Sequence, residues 1–245
     1  MKITILSTAF PYRGGIAVFT ERLARAFQTE KDDVNISTFS LQYPNFLFPG
    51  KSQYSSNEKP QDLAIEREVN SINPINWIRI GLKLKKQRPD ILILKYWTPF
   101  LSPCLGTISR IVRSNKHTKT IVVIDNLIPH EKRFGDHLLN SYFVNSVDGF
   151  VAMSESVFND LSQFDADKKK VLGVHPLYDN FGKAKSKEEA IENLGLERNY
   201  KYILFFGIIR KYKGLDILLE AFADNRLKNQ NLKLIIAGEF YEDAT

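Results

Sequence analysis

Cysteine is nearly absent from this chain. Cys104 is the single thiol among 245 residues, so neither an intramolecular disulfide nor a Cys-built metal cage can form. A reducing compartment suits such a chain better than export, and the cytoplasm is the expectation. Histidine is sparse too: His117, His130, His137 and His175 lack HxxxH or HExxH spacing, and no GxSxG occurs, so zinc and serine-hydrolase chemistry have no scaffold. No stretch approaches the ~18 apolar residues of a membrane span. The apolar run at the N-terminus is short and gives way to Pro11, Tyr12 and Arg13 without a small-residue cleavage pattern, so neither export nor membrane spanning is expected.

Acids are scarce in one region. Between Arg79 and Lys119 ten Lys or Arg residues face a single acid, Asp90, whereas the net charge of the whole chain is only +6. Arg79, Lys83 and Lys86 fall at i, i+4 and i+7 of a helical pattern, and Arg110 and Arg113 share a face of the next. A solvated helical face accounts for such charge about as well as a partner does. Among partners, anionic lipid headgroups come first, at ~1 kcal/mol per cation near the surface. Nucleic acid is not expected, because no DNA- or RNA-binding motif accompanies the charge.

With 43% hydrophobic and 25% charged residues, the chain has the composition of an ordinary globular protein. Short apolar runs alternate with helical periodicity: KITILS, a helix from about Gly15 to Gln28, DVNISTF, a helix over Pro74 to Gln87, and ILILKY. A helix over Pro103 to Arg113, TIVVID, a helix over Asp136 to Asn145, GFVAMS, a helix over Glu155 to Gln163 and KVLGV follow. Parallel neighbours need crossovers of a dozen residues or more, so this order predicts an α/β fold, a doubly wound parallel sheet covered on both faces. Gln42 to Gln61, rich in Pro, Ser, Asn and Tyr, reads as one long connection of the kind that more often serves function than scaffolding.

The expected organisation is a Rossmann-like domain over 1–175, a linker with a short helix over 176–199, and the beginning of a second Rossmann-like domain over 200–245. In the last part KYILFFGI, a helix over Gly214 to Ala223 and LKLIIAG give strand, helix, strand, too little to bury a domain core, so that domain reads as cut short.

Ligands of doubly wound sheets lie outside the carboxyl ends of the strands, which singles out three loops. In FPYRGGIAVFTE, Gly14 and Gly15 open the first helix, where unpaired N–H groups and the helix dipole favour an anion and missing side chains permit close approach; a plain turn fits equally. FFGIIRKYKGLDILLEAF repeats the arrangement with Arg210, Lys213 and Gly214, where two cations and a helix start would suit a diphosphate. TIVVIDNLIPHEKRF sets Asp125, Asn126, His130 and Glu131 after an inner strand, polar groups able to hold sugar hydroxyls or a phosphate.

Taken together, FPYRGGIAVFTERLARAF, DNLIPHEKRFGD, VHPLYDNFG, FFGIIRKYKGLDILLEAF and LIIAGEFYED resemble retaining glycosyltransferases of family 4, which have the GT-B fold. The resemblance implies an acceptor-side first domain and a second domain holding a nucleotide diphosphate sugar as donor. It implies that Gly14 and Gly15 approach the reacting region, that Arg210, Lys213, Gly214 and Glu239 bind the donor, and that Asp125 and His130 act in catalysis. It also implies transfer to a glycan or lipid-linked acceptor, as in polysaccharide biosynthesis, with no metal or other cofactor; the scarce cysteine and the basic segment add the expectation of a cytoplasmic enzyme peripheral to the inner face of a membrane. Many members have His where this chain has Asp125, and their arginine lies five positions before the lysine, where Ile208 stands here. Their pair of glutamates separated by seven residues belongs beyond LIIAGEFYED, so the chain alone is expected to transfer little or no sugar. A GT-B sugar-nucleotide epimerase and a noncatalytic sugar-nucleotide or membrane-surface binding module are the alternatives.

Overall fold

The computed structural model describes residues 1–44, 52–129, 133–165, 167–176, 182–227 and 230–240. Two compact units emerge, the first comprising Met1–Pro44 and Gln53–Pro176 and the second containing Leu177–Thr245.

The first unit is built on a seven-stranded, all-parallel sheet in the order β3-β2-β1-β4-β5-β6-β7. Its strands are β1 Lys2–Leu6, β2 Asp33–Leu41, β3 Ala64–Asn70, β4 Ile91–Tyr96, β5 Lys119–Ile124, β6 Gly149–Ala152 and β7 Lys169–Leu172. Helices α1 Gly15–Thr29, α2 Pro74–Gln87, α3 Ser102–Arg113, α4 Asp136–Val144 and α5 Glu155–Leu161 make the crossovers. The expected doubly wound sheet is therefore present, with one addition. β3 escaped the sequence pattern because AIEREVN buries only Ile65 and Val69, and it pairs as an edge strand with β2 through shifted register. An edge strand needs only one apolar face, and its outward charges hide the period.

Strand order reverses between β1 and β4. Right-handed crossovers then put α1 on one face of the sheet and α2, α3 and α4 on the other. The side chains follow. Leu92, Leu94 and Tyr96 of β4 join Ile80, Leu84, Leu105, Ile108 and Phe143 in one core, whereas Ile93 joins Ile3, Ile5, Phe19 and Val123 in the other. Local signals fix the helix starts: Asn73 caps α2 by accepting from the amides of Ile75 and Asn76, with Pro74 at the first helical position. Gly81 lets α2 and α3 meet, since a Cβ there would stand 2.9 Å from the Ile111 side chain.

The described end of the long connection after β2 is tied down at the carboxyl edge of the sheet. The Arg13 amide donates to the Gln53 carbonyl, the Ser55 amide to the Pro11 carbonyl, and Tyr12 bridges Tyr54. Arg67 clamps this pairing, lying 5.9 Å from the Tyr12 ring centroid and 5.2 Å from that of Tyr54.

In the second unit, α6 Lys187–Asn193 starts at a capping box made by Ser186 and Glu189. β8 Lys201–Phe206 and β9 Leu232–Ala237 pair in parallel around α7 Leu215–Phe222. Leu204, Phe206, Ile217 and Ile236 are exposed, and only Ile191, Ile209 and Leu215 are buried hydrophobics among its described residues.

Candidate functional site

The loops that end β1 and β4 flank the point where strand order reverses, the usual ligand position in this architecture, and the loop that ends β5 is next to them. Gly14 adopts φ 108° and ψ 174°, a conformation L side chains rarely take, and nothing lies within 4 Å of where its Cβ would be. The backbone can therefore be approached closely at the start of α1, and Gly15 is the first residue of that helix. The loop is stiffened from behind: the buried Tyr12 hydroxyl accepts the Gln42 amide at 3.1 Å, and Glu21 of α1 accepts the Phe10 amide at 3.1 Å. Burial of Glu21 raises its pKa, against the opposing pull of that amide and of Arg25.

Asp125 directly follows β5, its amide held by the Tyr96 carbonyl at 3.0 Å. Its Oδ1 accepts from Lys95 Nζ at 2.6 Å, and His175 Nε2 lies 3.9 Å from the same oxygen. The Lys95 ammonium also sits 3.8 Å from the Phe19 ring centroid, and His175 meets Phe19 edge-on at 6.1 Å. Lys95 is only 3% exposed, and burial lowers its pKa while Asp125 counteracts. A cation, a carboxylate, an imidazole and an aromatic ring are thus gathered beneath the carboxyl edge of the sheet. The loop after Asp125 is anchored by α4, where the buried Asn140 donates to the Leu127 carbonyl at 2.7 Å and accepts from the Tyr96 hydroxyl.

His130, with its neighbour Glu131, lies outside the described residues. Lys95 and His175 were not singled out by the sequence pattern as site residues. Lys95 was counted with the basic segment, although a lone Lys closing the apolar run ILILKY, two residues after the inward-facing Ile93, is itself a signal.

In the second unit the backbone beyond β8 runs beside that beyond β9, with the Gly207 amide donating to Ala237 and the Ile209 amide to Glu239. The approach is close enough that a Cβ on Gly238 would lie 1.8 Å from the Gly207 oxygen. Arg210 precedes a short 3-10 turn over Lys211–Lys213, and Gly214, with φ 68°, opens α7. Lys213 Nζ stands 3.3 Å from where a Gly207 Cβ would be, so the ammonium overhangs the end of β8, and no carboxylate among the described residues pairs with it. Gly14, Gly15 and Asp125 thus belong to the first unit and Arg210, Lys213, Gly214 and Glu239 to the second.

The basic segment is less open than its sequence suggests. Lys83 pairs with Glu66 and Glu68, Arg113 with Asp148, and Arg110 donates to the Tyr142 carbonyl with its guanidinium 3.8 Å from the Tyr142 ring centroid. Arg79 and Lys86 are exposed and pair with no carboxylate among the described residues. They share the outer side of α2 with exposed Ile75, Ile78 and Leu82. No helix among the described residues is long and apolar enough to cross a membrane.

Two family models match in sequence order, Glycosyltransferase Family 4 over residues 13–179 and Glycosyl transferases group 1 over residues 186–244. An uncharacterized glycosyltransferase of Methanocaldococcus jannaschii is 25% identical over 242 residues, covering 99% of this chain and 61% of that protein. The chain therefore spans about three fifths of this curated relative. Anabaena HepE in complex with UDP and glucose superposes with a TM-score of 0.66 at 13% identity, covering 98% of this chain and 61% of that one. A UDP-GlcNAc 2-epimerase from Methanocaldococcus jannaschii does so with a TM-score of 0.50 at 11% identity, covering 97% and 73%. The fold is accordingly of the GT-B type, and fold likeness alone does not choose the reaction. The family match over most of the first unit does more: the chain belongs to glycosyltransferase family 4.

Proposed function

We propose that the whole protein transfers a sugar from a nucleotide diphosphate sugar to a glycan or lipid-linked hydroxyl, with retention of configuration. The observation that carries the donor assignment is the Lys213 ammonium over the end of β8, beside the Gly214 start of α7. Cation and helix start together supply the field a diphosphate needs. Arg210, at the start of the same turn, and Glu239, whose carbonyl accepts the Ile209 amide, complete the donor side.

In the first unit, Gly14 and Gly15 admit the reacting groups close to the backbone, and Asp125 holds a hydroxyl of the donor sugar through its carboxylate. His130 is assigned the companion catalytic role by resemblance. In such a scheme the donor's own phosphate assists deprotonation of the acceptor, so positioning and electrostatics supply the catalysis and no metal or other cofactor enters. The exposed row Ile75, Ile78 and Leu82 with Arg79 and Lys86 supports peripheral attachment of a cytoplasmic enzyme to an anionic membrane, where lipid-linked acceptors reside.

The test is incubation of the whole protein with a panel of nucleotide sugars and lipid-linked acceptors, with products read by mass spectrometry. Acceptor heavier by one sugar supports transfer. A nucleotide sugar epimerised in place would point to an epimerase, and binding without turnover to a noncatalytic module.

A further inference from the structure

Lys95 occupies a place where an ammonium is expensive. It lies near the end of β4, in register with Val123, on the sheet face covered by α1, and is 3% exposed. Ile93, two residues earlier on that face, is packed in an apolar core, so Lys95 brings charge onto this face only toward the carboxyl edge. One carboxylate oxygen at 2.6 Å and one ring centroid at 3.8 Å are its polar and aromatic company. Such a pair contributes little net stability, since well-packed apolar side chains of similar volume often do as well. A role in folding alone does not explain it.

We infer that Lys95 is a positioning residue that grips Oδ1 of Asp125 and so holds the carboxylate with Oδ2 ready to accept a hydrogen bond from a sugar hydroxyl. Among the described residues both neighbours of this carboxylate, Lys95 and His175, approach Oδ1, and none donates to Oδ2. The Asp125 side chain is 23% exposed, enough for a ligand to reach it. Phe19 fixes the ammonium from the α1 side, which links the helix opened by Gly14 to the carboxylate after β5. The inference rests on the proposed sugar-nucleotide site and names a further part of it.

The experiment compares wild type, Lys95→Met, Lys95→Gln, Asp125→Asn and the Lys95→Met/Asp125→Asn double variant. Titration calorimetry of the whole protein with UDP-glucose and with UDP reads the sugar contact, and NMR coupling constants of the Asp125 methylene read its rotamer. Lys95→Met is expected to remain folded, to weaken UDP-glucose about tenfold with UDP unchanged, and to average the Asp125 rotamer. Lys95→Gln, which can still donate to Oδ1, should recover much of both. In the double variant the UDP-glucose loss should be no greater than in Asp125→Asn alone, because Lys95 acts through Asp125. Losses that multiply would overturn the inference, as would a single wild-type rotamer persisting in Lys95→Met. A wild type that binds neither UDP-glucose nor any other nucleotide sugar of the panel would defeat the donor assignment instead, and the rotamer measurement would still decide whether Lys95 positions Asp125.

Discussion

Gly238 faces Gly207 across the ends of β9 and β8 so closely that a Cβ on Gly238 would stand 1.8 Å from the Gly207 carbonyl oxygen. The oxygen belongs to backbone, which cannot swing aside as a flexible side chain would. Gly238→Ala should therefore part the two strand ends, at a cost of about 3 kcal/mol. Hydrogen exchange is expected to speed up at the amides of Gly207 and Ile209, which donate to Ala237 and Glu239, while β1, β4 and β5 keep wild-type protection. Unchanged exchange at Gly207 and Ile209 would show that the contact is not a constraint.

Lys213→Ala should weaken a nucleotide diphosphate by 1.5 to 3 kcal/mol, roughly ten- to a hundredfold, through loss of a charge-assisted contact. A nucleoside without phosphates should bind both proteins alike. Calorimetry that finds equal UDP affinity in wild type and variant would remove Lys213 from the donor site.

Asn140 is 1% exposed and joins Tyr96 of β4 to the Leu127 carbonyl, so it spans two elements behind Asp125. Asn140→Ala strips the Leu127 carbonyl of this donor, while the Tyr96 hydroxyl keeps the Ser102 hydroxyl as partner, with an expected loss of about 2 kcal/mol in urea unfolding. A loss under about 0.5 kcal/mol would mean that the network does not anchor the loop.

Glu21 gives the first unit a pH signature. Burial raises its folded pKa, so the stability it contributes is fully present below the unfolded carboxylate value and is lost as pH rises through the folded value. Glu21→Gln has no proton to lose and keeps an oxygen for the Phe10 amide. Its melting temperature should match wild type in acid and exceed it near neutrality. A gap that narrows as pH rises has the wrong sign.

For the membrane assignment, Arg79→Glu combined with Lys86→Glu should abolish salt-sensitive binding to anionic vesicles and leave binding to neutral ones unaltered. Lys83→Glu should matter less to the vesicle contact, since Glu66 and Glu68 already neutralise that ammonium. Equal wild-type binding to both vesicle types at low salt would count against a lipid role.

The central strands were legible because each is a short apolar run between helical periods, and Asn73-Pro74 marks the start of α2 in the sequence itself. β3 was not, since an edge strand that buries Ile65 and Val69 among Glu66, Arg67 and Glu68 has no apolar run to read. Gly14, Asp125 and Lys213 were expected to follow strands, and the structure has them after β1, β5 and β8. Lys95 could not be assigned a role that way, because its meaning depends on Asp125, thirty residues on, and on Phe19 of α1. Nor could the sequence distinguish exposed Arg79 and Lys86 from Lys83 and Arg113, whose partners come from other elements.

The most direct measurement is the anomeric configuration of the first-formed product, followed by proton NMR as the whole protein consumes a nucleotide sugar in the presence of its acceptor. Retaining transfer predicts that the new glycosidic bond carries the donor's own anomeric configuration from the earliest time point, without added metal and at a rate sharply reduced in Asp125→Asn. A product of opposite configuration, or a sugar that stays on the nucleotide with one centre inverted, would contradict it.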